Sequence, residues 1–140
     1  MVRRLASLKP ETTARWGKMT AGQMICHLND SYLGVMGLRT ISPATGPLQR
    51  TVVKWAALYL PTPWPKGTPT RPEVEQGLGG TPPVDFERDR KALVTSIDRF
   101  CDPKRTFTWS PHPIFGPMTD RQWMRWGYLH ADHHLRQFGL

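Results

Sequence analysis

The chain is poor in cysteine, in acidic residues and in long apolar runs. Two cysteines among 140 residues, Cys26 and Cys101, are too few for a disulfide framework. Both are expected as reduced thiols, which points to a cytoplasmic location. The most apolar run is Val52-Val53-Lys54-Trp55-Ala56-Ala57-Leu58-Tyr59-Leu60. It is too short to span a bilayer and carries a lysine, so no membrane association is expected. The N-terminal Met-Val-Arg-Arg-Leu-Ala-Ser-Leu-Lys-Pro has charge but lacks the apolar stretch of a secretory leader. Strand patterns are nearly absent as well. Thr106-Phe107-Thr108-Trp109 alternates, but it is short and isolated.

Eleven acidic residues against nineteen basic ones leave a net charge of +8. That balance favours anionic partners. The bases are scattered, however, and form no tail, stripe or basic helix face. Nucleic acid is therefore not expected as a partner, and a solvated basic surface is the simpler reading.

Aromatics are plentiful instead. Six Trp and five Phe compensate for a modest hydrophobic content of 39%. A chain of this length suits one domain, residues 1–140, with a real core. Two helix starts are marked by capping boxes, Thr20-Ala21-Gly22-Gln23 and Thr119-Asp120-Arg121-Gln122. They predict helices over about Ala21 to Leu38 and Asp120 to Phe138. Phe86, Leu93, Ile97 and Phe100 recur at helical spacing, which predicts a third from about Asp85 to Phe100. Shorter helices are expected over Arg4 to Lys9 and Leu48 to Leu60. Residues 61–83 hold seven of the 14 prolines together with Gly67, Gly77, Gly79 and Gly80, so regular structure is not expected there. The fold class is all-α, a helix bundle with a long Pro/Gly-rich crossover. Its expected core includes Met24, Leu28, Val35, Val53, Ala57, Leu93, Ile97, Trp123 and Trp126. Asp30 is read as a surface group.

The chemistry concentrates near the C-terminus, in His130-Ala131-Asp132-His133-His134. His130 and His134 are four apart, so a helix stacks them on one face. On a helical wheel that face also carries Trp123, Trp126, Gly127 and Gln137, while His133 and Asp132 lie off it. Inward imidazoles need partners for their nitrogens, and one divalent metal can serve two at once. His27, in Met24-Ile25-Cys26-His27-Leu28, is the candidate third ligand. Three protein ligands leave coordination positions open, as catalytic metal sites do. A lone HxxxH pattern is not specific. There is no His-Glu-x-x-His, so no metalloprotease base is present. Cys26 reads as a small buried residue. His112, in Pro111-His112-Pro113, belongs to a rigid turn and reads equally as loop or pocket residue. Trp16, Gln23, His112, Trp126 and Gln137 are candidate pocket or supporting residues.

Trp16-Gly17-Lys18-Met19-Thr20-Ala21-Gly22-Gln23-Met24-Ile25-Cys26-His27-Leu28 resembles the start of the second helix in the DinB-like superfamily, named for DNA-damage-inducible proteins. His112 to Thr119, Trp123 and His130 to Gly139 resemble one uncharacterised bacterial branch of it, as does Pro65 to Thr70. The resemblance implies a DinB-like four-helix bundle. It implies a divalent metal held by His27, His130 and His134; three imidazoles suit several ions, and zinc or nickel is the expectation. Some relatives transfer groups to low-molecular-weight thiols, so a thiol cofactor is among the expectations. With open coordination at these three histidines, the expected function is a metal-dependent hydrolase or thiol-dependent transferase acting on a small molecule. The competing expectation is a non-enzymatic module that binds or senses a small molecule. Pairing of exposed apolar helices into a homodimer is a further expectation.

Overall fold

The computed structural model describes residues 1–140 and contains five α-helices and no β-strand. They are α1 (Val2–Ala6), α2 (Ala21–Val35), α3 (Lys54–Tyr59), α4 (Phe86–Cys101) and α5 (Asp120–Gln137). None is long and apolar enough to cross a membrane.

The two longest-marked helices start and stop by the same devices. Thr20 Oγ1 accepts from the Gln23 N–H at 3.2 Å, and Gln23 Oε1 accepts from the Thr20 N–H at 2.9 Å. Thr119 and Gln122 repeat this reciprocal pair at the head of α5, at 3.3 and 3.0 Å. Each box satisfies two backbone donors that the helix itself leaves orphaned. At the far ends, Gly37 and Gly139 take left-handed φ values of 75° and 81°. Beyond them, Leu38 N–H donates to Leu33 O and Leu140 N–H to Leu135 O, closing a Schellman motif at each end. This motif stops α2 at Val35, three residues before the expected end. Asp85 caps α4, accepting from the Arg88 N–H at 2.7 Å.

The expected helix over residues 48–60 is divided. A π-helical turn, Gln49–Val53, precedes α3. The wider turn shifts the helical phase, so Val53 faces solvent rather than the core, and Leu58 is the buried residue of this segment. Helix α1 ends earlier than the expected Lys9, at Ala6.

Helix α2 packs along α4 and also meets α5. Met24, Leu28, Val35, Leu93, Ile97, Trp123 and Trp126 are buried as expected, and Ala57 is half-buried. The seam beside α5 is closed by aromatic edges: Tyr32 to Phe100 at 4.9 Å and Phe100 to Trp109 at 5.1 Å between ring centroids. Gly127 admits this packing. Tyr32 Oη donates to Gly127 O at 2.8 Å, and a Cβ on Gly127 would lie 2.6 Å from Phe100 Cε1.

The Pro/Gly-rich crossover contains one 3-10 turn, Pro72–Val74. Asp30 binds it to the bundle. Contrary to the sequence expectation, Asp30 is only 1% exposed. Its carboxylate accepts from the Thr81 N–H and Oγ1, both at 2.7 Å, and from Arg39 Nη1 at 2.9 Å. Arg39 donates in turn to the Glu73 carbonyl at 2.8 and 3.2 Å. A buried carboxylate persists only when paired and hydrogen-bonded, and the returning crossover supplies those partners.

Gly127→Ala tests the tight seam. Overpacking against Phe100 should cost about 1–3 kcal/mol. Urea unfolding monitored by circular dichroism measures it, and an unchanged midpoint would mean that the seam yields freely.

Candidate metal centre

Helix α2 presents His27 from its middle, and α5 presents His130 and His134 from successive turns. Their ring centroids lie 4.8 Å (His27–His134), 5.0 Å (His130–His134) and 5.4 Å (His27–His130) apart. One ring nitrogen from each lies within 4.8 Å of the other two. Tetrahedral Zn–N bonds imply N···N edges of about 3.4 Å, so the rings need to draw in by roughly an ångström to share one ion.

Hydrogen bonds set which nitrogen each ring offers. His27 Nδ1 lies 2.9 Å from the Val74 carbonyl. A carbonyl only accepts, so Nδ1 carries the proton and Nε2 keeps its lone pair. The His134 tautomer is set by Gln137. The Trp16 carbonyl also only accepts, so the Gln137 amide turns its Nε2 toward it, at 2.8 Å. Gln137 Oε1 then faces His134 Nδ1 at 2.9 Å, which makes Nδ1 the donor and frees Nε2. Gly17 makes room for this relay, since a Cβ there would stand 2.6 Å from Gln137 Nε2. His130 is half-buried as a whole, but its Nδ1 is buried with no hydrogen-bond partner.

All three imidazoles are held neutral. Burial lowers the pKa of His27 below its ordinary 6.5. Burial, with repulsion from the neighbouring histidines, lowers that of His130 well below this value. Burial takes His134 down to about 3. Three neutral imidazoles, two with Nδ1 tied back and one with an orphaned nitrogen, fit the donor set of a borderline divalent cation.

The other candidate residues divide by position. Trp126 lies against His130 at 5.0 Å between centroids. Gln137 and Trp16 form the relay above. Gln23 is spent on the capping box at the head of α2. His112 serves its own turn: its Nδ1 accepts from the N–H groups of Ile114 and Phe115, both at 3.1 Å, and its ring stacks on Phe115. His133 lies outside the triad, half-buried and edge-on to Trp16 at 5.9 Å. Asp132 points elsewhere, to Arg4 and Arg136. Cys26 is buried 3.7 Å from Asp89 Oδ2, and burial pushes its thiol up to about 12. It stays a thiol at neutral pH and is no ready nucleophile.

Sequence reasoning missed two contributors. Trp64 stacks on His130 at 6.0 Å, and its only signal is an aromatic between Pro63 and Pro65. Val74 acts through its backbone carbonyl, which no side-chain pattern marks.

A family model described as "Protein of unknown function (DUF1569)" matches residues 1–139. The chain belongs to that family. No curated protein and no solved structure matches it.

The buried histidines make stability depend on pH. Unfolded imidazoles titrate near 6.5, whereas His112 and His134 titrate at about 3 when folded. Between those values the unfolded chain binds more protons, so stability is lost as pH falls. Each such histidine adds a slope of up to about 1.4 kcal/mol per pH unit. Urea unfolding of metal-free protein at steps from pH 7.5 to 4.5, on the order of half a unit apart, measures it. Constant stability across that range would contradict the burial assigned to these rings.

Proposed function

We propose that this is a metal-dependent enzyme of DinB-like type, with α2, α4, α5 and the α3 segment forming its four-helix bundle. One divalent cation, zinc or nickel, is held by His27, His130 and His134. The substrate is a small molecule, and the reaction is hydrolysis or transfer to a low-molecular-weight thiol. The observation that carries this reading is the convergence of three neutral imidazole nitrogens within 4.8 Å. A cation held there acts as a Lewis acid that lowers the pKa of a coordinated water or thiol.

The chain's own groups prepare that chemistry. The Val74 carbonyl and Gln137 hold two rings at Nδ1 and fix their orientation. Trp126 and Trp64 both lie against His130 and form apolar walls beside it. Three ligands leave room in the coordination shell for a reacting atom.

Metal analysis of protein purified with zinc or nickel supplementation tests the reading. Close to one equivalent is expected, and His130→Ala should lose it while keeping its helical circular dichroism. Less than about a tenth of an equivalent in folded wild-type protein overturns the proposal. Gln137→Leu should retain the fold and weaken zinc affinity by about 10–100-fold, measured by competition with a chromogenic chelator. Unchanged affinity would remove Gln137 from the support of the site.

A further inference from the structure

Beside the triad, a cleft of about 230 Å³ opens between α5 and the start of the Pro/Gly-rich crossover. Trp16 and Trp64 both line it. Trp64 is pinned there by donating from Nε1 to Ala57 O at 2.7 Å, and it is the same indole that stacks on His130. The cleft therefore shares a wall with the triad. His133, which touches both indoles, lies on the α5 side.

The charges in the cleft are unbalanced. Lys66, Arg125 and Arg136 line it with a single acid, Asp132. That acid is already engaged on both oxygens, by Arg4 at 2.6 Å and by Arg136 at 2.7 Å. Lys66 and Arg125 form no ion pair with any acid. Lys66 Nζ lies 4.5 Å from the centre of Trp16; the Arg125 guanidinium lies 5.5 Å from that of Tyr59 and donates from Nε to the Leu58 carbonyl, which leaves its two Nη groups for an anion. Two cations without counter-ions, set among flat apolar walls, recognise a negative charge attached to a flat apolar body.

We infer that this cleft seats a small organic acid, its carboxylate anchored by Lys66 and Arg125 and its apolar body held against Trp16 and Trp64 beside the triad. The inference rests on the proposed reading of the triad as a small-molecule site, and it assigns the class of that molecule. None of the anchoring atoms belongs to the triad, so the two ideas fail separately.

The test is isothermal titration of metal-loaded protein at about 50 mM salt, where exposed cations are weakly screened. The probes are naphthylacetate, its neutral analogue naphthylacetamide, and inorganic phosphate. Naphthylacetate should bind about tenfold more tightly than the amide. Lys66→Gln and Arg125→Gln should each weaken the acid severalfold and leave the amide unchanged, with circular dichroism intact. His130→Ala should keep the preference for the acid. Equal binding of acid and amide, or no binding of either, overturns the inference. So does a preference that survives the Lys66→Gln/Arg125→Gln double variant and vanishes in His130→Ala, which places the anion on the triad. Phosphate binding as tightly as naphthylacetate overturns it too, since the apolar body then contributes nothing. A retained preference in protein that takes up no metal supports the cleft and overturns only the metal reading.

Discussion

A buried imidazole has to place both of its nitrogens, and three of them at one helix seam impose that demand on everything around it. His27 meets it by reaching a carbonyl forty-seven residues onward, at Val74. That carbonyl is available only because the crossover folds back over α2. The crossover in turn stays because Asp30 and Arg39 give it charged hydrogen bonds inside the protein. His134 meets the same demand through Gln137, and Gln137 needs the Trp16 carbonyl and a glycine beside it. The irregular segments are thus not passive connections. They complete the polar shell of the seam between α2 and α5.

The same arrangement explains why the protein tolerates so many prolines. A Pro-rich segment cannot donate many backbone hydrogen bonds and gains little from regular structure. It can offer carbonyls and rigid corners. Here it offers the Val74 carbonyl to His27 and positions Trp64 between Pro63 and Pro65 against His130. A segment this long inside a compact fold is usually tied to function, and its contacts with the triad and the neighbouring cleft agree with that.

Electrostatics divides the molecule into two regimes. At the triad, burial removes charge and leaves lone pairs, which suits a cation. Along the cleft, Lys66 and Arg125 have no acidic partner, which suits an anion. The +8 charge of the chain reads as a diffuse surface property in sequence. Its local meaning depends on which cations find acids: Arg4 and Arg136 share Asp132, and Lys66 and Arg125 find none.

Much of the helical frame was legible in the sequence because its signals are local. Both capping boxes form as the Thr-x-x-Gln spacing requires, and Asp85 caps α4 from the residue before it. The stacking of His130 over His134 follows from helical periodicity alone, as does the separation of His133 from them. Where a local signal was outweighed, the fold went elsewhere: the π turn rotated Val53 outward, and the returning crossover buried Asp30. The sequence by itself determined where the capped helices α2 and α5 begin and which two histidines share a face, since both depend on neighbours within about one turn. Only the tertiary structure decided that His27 meets them, that Val74 and Gln137 set their tautomers, and that Trp64 closes over His130. Those contacts join residues far apart in the chain, and packing rather than periodicity brings them together.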